Sequence, residues 1–190
     1  MTPYCPVCPP KTILRRHPLE AGLLSWNCTA CEGHWISHAS WLVWMESGGA
    51  QAEEAEVTPP TNDSPKAKIC RDCGRLMMRY NAGGTPDFMI DRCTGCGGVW
   101  SDQNEWDALK QRGLVNTLPQ IFSQSWQLAL RRRQFDEQVE RRMQSELGDA
   151  DWQQVKTFHH WLESLEQAPM VLAYLQDHAV PKPKTATDPT

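Results

Sequence analysis

The sequence has no apolar run near the roughly 20 residues that a membrane-spanning helix needs. No H-E-x-x-H, phosphate loop, serine–histidine–aspartate set or carboxylate pair in a recognisable setting occurs, so hydrolytic and nucleotide-dependent chemistries find no motif and a non-enzymatic role is expected. No secretory leader pattern opens the chain, and the expected setting is a reducing, cytoplasmic one. Positive charge is not in surplus either. The formal net charge is -4, a poor footprint for non-specific grip on phosphates. The span between Glu46 and Lys66 holds four acids and no base, whereas Lys66 to Arg112 holds eight basic residues against six acids.

What is present is cysteine, and none is left over. The eight cysteines fall into four C-x-x-C pairs: Cys5/Cys8, Cys28/Cys31, Cys70/Cys73 and Cys93/Cys96. One offset of 65 residues carries Cys5, Cys8, Cys28, Cys31, Gly33, Trp35, Ser37 and Trp41 onto Cys70, Cys73, Cys93, Cys96, Gly98, Trp100, Asp102 and Trp106. This is an internal repeat. Each copy is under about 50 residues, too small to rely on a hydrophobic core, and needs a staple. Disulfides are one candidate. The C-x-x-C spacing and the absence of a leader favour metal. Four thiolates suit a closed tetrahedral zinc site with no position for substrate, hence a structural ion. One site would take Cys5, Cys8, Cys28 and Cys31, the other Cys70, Cys73, Cys93 and Cys96. Iron is the other metal that such ligands suit, and it would show as colour.

The chain divides by composition. Residues 1–46 are the first cysteine module, with hairpin strands expected over Lys11–Arg16 and Leu23–Asn27 and a helix over Ser37–Met45. Residues 47–65, acidic and proline-containing, read as a flexible linker. Residues 66–113 are the second module, with strands expected over Arg75–Tyr80 and Asp87–Arg92. Asp102 and Glu105 read as a capping box, which starts a helix near Gln103, and Gly113 stands where a C′ glycine belongs. Gly95, Gly97 and Gly98 are expected to supply positive φ angles in the last knuckle. Residues 114–179 show helical periodicity, broken at Gly148-Asp149 and Ala168-Pro169. Residues 180–190 read as a disordered tail. The fold class is a small metal-stapled α+β protein with a C-terminal helical region.

The stretch Ile69-Cys70-Arg71-Asp72-Cys73-Gly74, followed by Ile90-Asp91-Arg92-Cys93-Thr94-Gly95-Cys96-Gly97-Gly98-Val99-Trp100-Ser101-Asp102 and by Glu105-Trp106, resembles the bacterial transcription-factor-IIB-type zinc-finger family. The likeness covers about a quarter of the chain closely. The first module is a degenerate copy, with Ser37 for the aspartate, Ser40 for the glutamate and Trp26-Asn27 in place of Ile-Asp-Arg. The resemblance implies two tandem zinc ribbons and a zinc ion at the four cysteines of each. The family's name implies transcription, but fold does not carry function by itself.

Three functional readings stay open. The first is a non-catalytic adaptor or regulator that binds a protein partner through its tryptophan-rich helices; nine tryptophans is many for this length. The second is nucleic-acid or transcription-complex binding by the basic face of the second module, through Lys66, Lys68, Arg71, Arg75, Arg79 and Arg92, with Tyr80 and Phe88 available for stacking on bases; the plainer alternative is an ordinary basic surface with Tyr80 and Phe88 in the hairpin core. The third is metal-dependent redox chemistry, which lacks the βαβ setting that a thioredoxin-type C-x-x-C requires. Arg131-Arg132-Arg133 share their helix with Asp136, Glu137 and Glu140 and read as a salt-bridged solvated face. His34, His38, His159 and His160 read as surface histidines.

Metal binding in small thiolate modules is worth on the order of 10–16 kcal/mol, more than so small a core provides. Stripping the metal with a strong chelator is therefore expected to abolish the strand signal in circular dichroism. An intact strand signal from metal-free protein would show that the hairpins stand without it.

Overall fold

The computed structural model describes residues 4–9, 12–50 and 65–178. Residues 51–64 of the expected linker and the whole expected tail, 180–190, lie outside them. Two compact units divide the chain, Met1–Arg133 and Gln134–Thr190.

The first unit is an α+β assembly built on one antiparallel sheet. Its strands are β1 (Arg15–Glu20), β2 (Leu23–Asn27), β3 (His34–Ile36), β4 (Met78–Asn81), β5 (Met89–Arg92) and β6 (Val99–Ser101). They lie in the order β1-β2-β3-β6-β5-β4. The two sequence repeats thus form one sheet rather than two. The seam is β3 against β6, with Trp35 opposite Trp100, His34 opposite Ser101 and Ile36 opposite Val99. The strand order reads the same outward from this seam in either direction, an approximate two-fold relation between the repeats.

The structure moves several expected boundaries. β1 begins at Arg15 rather than Lys11, a residue outside the described set, and β4 begins at Met78 rather than Arg75. The short strands β3 and β6 were not expected, because three residues carry too little period-2 pattern to announce a strand. The 65-residue offset also shifts inside the repeat. Arg15 pairs with Asn27 and Met78 with Arg92, so the first strands of the two copies are related by 63 residues. The segment from Cys8 to the buried Leu14 is two residues longer than that from Cys73 to the buried Met77, and it carries Pro9-Pro10.

Side chains alternate across the sheet. Ile36, Val99, Leu23 and Ile90 join one core with helices α1 (His38–Glu46) and α2 (Glu105–Gln111). The same core takes in Val115 of a 3-10 turn, Val115–Thr117, and Leu118 and Ile121 of α3 (Leu118–Ile121). Trp41 donates from Nε1 to the Val115 carbonyl at 3.1 Å, tying α1 to that turn. The opposite face carries a second core: Trp35, Trp100, Leu14, Met77 and the cysteines other than Cys73. Burying each indole removes on the order of 200 Å² from water, about 5 kcal/mol at 25 cal/mol/Å².

The ends of α1 and α2 show the local chemistry at work. Ser37 caps α1, its Oγ accepting from Ser40 N at 3.0 Å. Gly113 closes α2 with φ +66°, its N–H bonded to Lys110 O while Leu114 N reaches Leu109 O, the two bonds of a Schellman motif. The start of α2 departs from the capping-box expectation. Only one arm forms, Asp102 N donating to Glu105 Oε2 at 2.7 Å. The helix begins at Glu105 after Asn104 in a left-handed conformation. Asp102's carboxylate is engaged elsewhere: Oδ1 accepts from Trp100 Nε1 at 2.6 Å, and Oδ2 lies 3.1 Å from Lys68 Nζ.

Lys68 is fully buried, with its Nζ also 2.5 Å from Asp91 Oδ2. Burial works against the ammonium, but the hydrogen bond to Asp91 and the fields of both carboxylates outweigh it and raise its pKa. In the second unit, helix α4 (Gln124–Leu147) continues from the first, followed by α5 (Asp149–Glu163) and α6 (Ala168–Asp177). Leu162 is the one buried side chain of this unit among the described residues. No helix among the described residues is long and apolar enough to cross a membrane.

Removing one partner of a buried ion pair strands the other, at about 3–5 kcal/mol. Lys68→Met is expected to destabilise the first unit by that order in a denaturant titration. A loss under about 1 kcal/mol would mean that Asp91 and Asp102 do not depend on the ammonium.

Candidate metal centres

Each cysteine pair sits in a tight turn held by its own backbone. Cys5 N donates to Thr12 O at 2.8 Å and Cys70 N to Arg75 O at 2.8 Å. In the second pairs, Cys28 N donates to Gly33 O at 2.9 Å and Cys93 N to Gly98 O at 2.8 Å. Glu32 N and Gly97 N return to the carbonyls of Cys28 and Cys93. Those returning residues are left-handed, Gly97 at φ +74° and Glu32 at φ +57°. Glycine takes this angle freely, whereas a side chain there costs about 1–2 kcal/mol.

Of the three glycines expected to supply positive φ in the last knuckle, only Gly97 does so. Gly95 and Gly98 serve another purpose, which is close approach. A Cβ on Gly95 would meet Arg75 Cδ at 2.8 Å, and one on Gly98 would meet Trp35 Cζ2 at 2.2 Å.

The turns bring together the two sets that the spacing pointed to: Cys5, Cys8, Cys28 and Cys31, and Cys70, Cys73, Cys93 and Cys96. Within each set the ligand sulfurs all lie within 4.8 Å of one another. Cys5 and Cys31 Sγ are 3.6 Å apart, Cys8 and Cys28 3.7 Å, Cys70 and Cys96 3.5 Å, and Cys73 and Cys93 3.3 Å. A disulfide needs about 2.05 Å, and all eight cysteines are free. The edge of a sulfur tetrahedron around zinc, with bonds near 2.3 Å, is about 3.8 Å. The spacing therefore fits a four-coordinate ion and no bridge.

Amides support thiolate character. Val7 N and Cys8 N both donate to Cys5 Sγ at 3.4 Å, and Cys73 N donates to Cys70 Sγ at 3.4 Å. Without a cation the sulfurs cannot ionise together. The hydrogen bond from Cys31 draws Cys5 down to about 5, and the same bond drives Cys31 up. Burial pushes Cys8 up to about 11. At Cys93, burial is outweighed by the amides of Cys96 and Gly95 and by the Cys73 thiol, and its pKa falls to about 7. A divalent ion would replace the shared protons. Cys5, Cys28, Cys70 and Cys93 are buried, whereas Cys73 is exposed.

The residues that the sequence offered for phosphate contact are mostly occupied. Lys68 is fully enclosed by Asp91 and Asp102. Arg71, only 6% exposed, lies 3.9 Å above the Trp26 ring. Arg79 faces Asp91 at 4.0 Å, Arg92 covers Phe122 at 5.0 Å, and Arg75 packs on Gly95. Lys66 is exposed. Phe88 is buried in the core, and Tyr80 packs edge-on against Phe122 at 5.2 Å. Arg131, Arg132 and Arg133 are exposed, and Arg142 pairs with Glu146 at 2.8 Å on the same helix. The contacts across the repeats made by Trp26, Asp72 and Gln103 were not singled out from sequence. The shared Gly-x-Trp spacing was the one signal that pointed towards them.

His34 also departs from expectation. It is half-buried, with Nδ1 3.0 Å from Ser25 Oγ and Nε2 3.3 Å from Asn27 Nδ2. Asn27 can only donate from Nδ2, so Nε2 accepts and Nδ1 carries the proton. Ser25 Oγ passes the chain on to His17 O. His38, by contrast, is exposed and lies against Gly97. His159 and His160 are exposed beside Glu163.

No protein-family model, curated protein or solved structure matches the chain.

Burial, reinforced by His17, lowers the His34 pKa to about 4. The folded imidazole should stay neutral through pH 5 in a long-range nitrogen–proton correlation spectrum, protonated on Nδ1. Because its pKa lies below the unfolded value, its contribution to stability is complete above about pH 6.5 and is lost as pH falls towards 4. A charged ring at pH 5.5 in folded protein would contradict this.

Proposed function

We propose that the chain is a structural-zinc protein: two tandem zinc ribbons of the transcription-factor-IIB-type family, acting as a non-catalytic adaptor or regulator that binds a protein partner. The observation that carries this reading is the pair of four-cysteine clusters at tetrahedral spacing, each complete in itself. Four thiolates fill the coordination sphere and leave no open position for chemistry. Each loaded site would carry a charge of -2, which deepens the chain's negative balance.

The interaction role draws on the helices. Phe135, Phe158, Trp161, Met170 and Tyr174 are exposed on a unit with one buried side chain among its described residues. Apolar surface left in water on that scale marks a binding face. The nucleic-acid alternative loses support because Lys68, Arg71, Arg79 and Arg92 are spent on internal contacts.

Elemental analysis of natively purified protein is expected to give two zinc ions per chain and a colourless solution. Iron or colour would overturn the zinc assignment. Retention on heparin that falls steeply with salt would overturn the preference for a protein partner over nucleic acid.

A further inference from the structure

We propose that the two metal centres load as a coupled pair, because side chains of each repeat pack on the ligand-bearing turns of the other. This rests on the reading of both clusters as metal sites.

The contacts are reciprocal. Trp35, from the first repeat, lies where a Cβ on Gly98 would stand, 2.2 Å from its Cζ2. Gly98 closes the Cys93/Cys96 turn through its carbonyl. Trp100, from the second repeat, lies in the same way 2.3 Å from a Cβ on Gly33, which closes the Cys28/Cys31 turn. The left-handed residue before each glycine is also covered from across the seam. His38 packs on Gly97, its Cγ 3.1 Å from where a Cβ would be, and Gln103 Nε2 donates to Glu32 Oε2 at 2.5 Å. The 65-residue offset relates His38 to Gln103 and Glu32 to Gly97, so these are two copies of one arrangement.

The Cys70/Cys73 turn is held further by the first repeat. Trp35 Nε1 donates to Asp72 Oδ2 at 3.3 Å, and Arg71 stacks on Trp26 at 3.9 Å. Cys5, Cys28, Cys70, Cys93, Trp35 and Trp100 belong to a single buried cluster. A turn that relaxes without its ion therefore withdraws packing from the other site. Coupling of this kind is reciprocal by thermodynamic necessity, and it typically changes affinity about 5- to 150-fold.

The test uses the full chain with cobalt and cadmium as probes. Two cadmium-113 resonances separate the sites, and cobalt competition against a chromogenic chelator gives their affinities. With Cys5→Ser/Cys8→Ser, cobalt affinity at Cys70, Cys73, Cys93 and Cys96 is expected to fall at least about fivefold. Cys70→Ser/Cys73→Ser should weaken the first site to a similar degree. Trp35→Leu keeps all eight cysteines and both knuckles of its own repeat, yet should weaken the second site. Wild-type affinity at the second site in both Cys5→Ser/Cys8→Ser and Trp35→Leu would overturn the coupling. Folded wild-type protein that takes up neither ion would overturn the metal reading itself, a result distinct from tight uptake at two independent sites.

Discussion

Two glycines and two tryptophans set the distance between the repeats. Trp35 and Trp100 face each other across β3 and β6, and each indole fills the space that a side chain on the other repeat's glycine would need. Neither strand has more than three residues. A pairing so short offers few ladder hydrogen bonds, and a short strand pair on its own is marginal in water. The interlocked indoles supply what the ladder lacks, and they fix register as well. A slip of one residue would turn the slipped strand's ring to the opposite face, into the helical core, and leave the other without its partner. The joining of the two three-stranded halves into one sheet rests on that contact.

The repeats then diverge around the shared centre. At the position where the second carries Asp91, the first carries Trp26, and at the position of Asp102 it carries Ser37. Asp91 and Asp102 together neutralise the buried Lys68, with Asp102 also holding the Trp100 indole. The first repeat satisfies the same needs differently. Trp26 lies beneath Arg71 of its neighbour, the Trp35 indole reaches across to Asp72, and Ser37, freed from an internal ion pair, caps α1. Where the second repeat makes internal bonds, the first makes bonds across the seam. The differences between the two copies are thus part of how the two halves fit each other.

Much of the candidate site was legible because cysteine spacing is a local signal. The turn geometry follows from two residues between ligands, and the repeat assigns each pair to its set. What escaped the sequence was non-local. β3 and β6 find their partners in the opposite repeat, and within either repeat alone they show only three residues of alternation. The capping box failed at one arm because Asp102 is claimed by Lys68, a residue 34 positions earlier. The two-residue shift in β1 reflects a stretch before it that is two residues longer than in the second repeat, while the cysteine offset is unaltered. The internal contacts of the basic residues were not legible for the plainest reason: a sequence displays charge but not burial. Lys68 reads as a surface lysine until its two carboxylates are in view.

The two units differ in what can hold them together. The first has two cores, a buried charge triad and two clusters whose ligands fit an ion. The second has three helices and one buried leucine among its described residues. Helices of 10 to 24 residues gain most of their stability from packing an apolar face, since propensity alone leaves short helices marginal. Phe158 and Trp161 lie tilted to each other on α5 with ring centroids 5.5 Å apart, and both are exposed. The first unit thus carries its own cores and two clusters whose ligands fit an ion, whereas the second leaves most of its apolar side chains unpacked among its described residues.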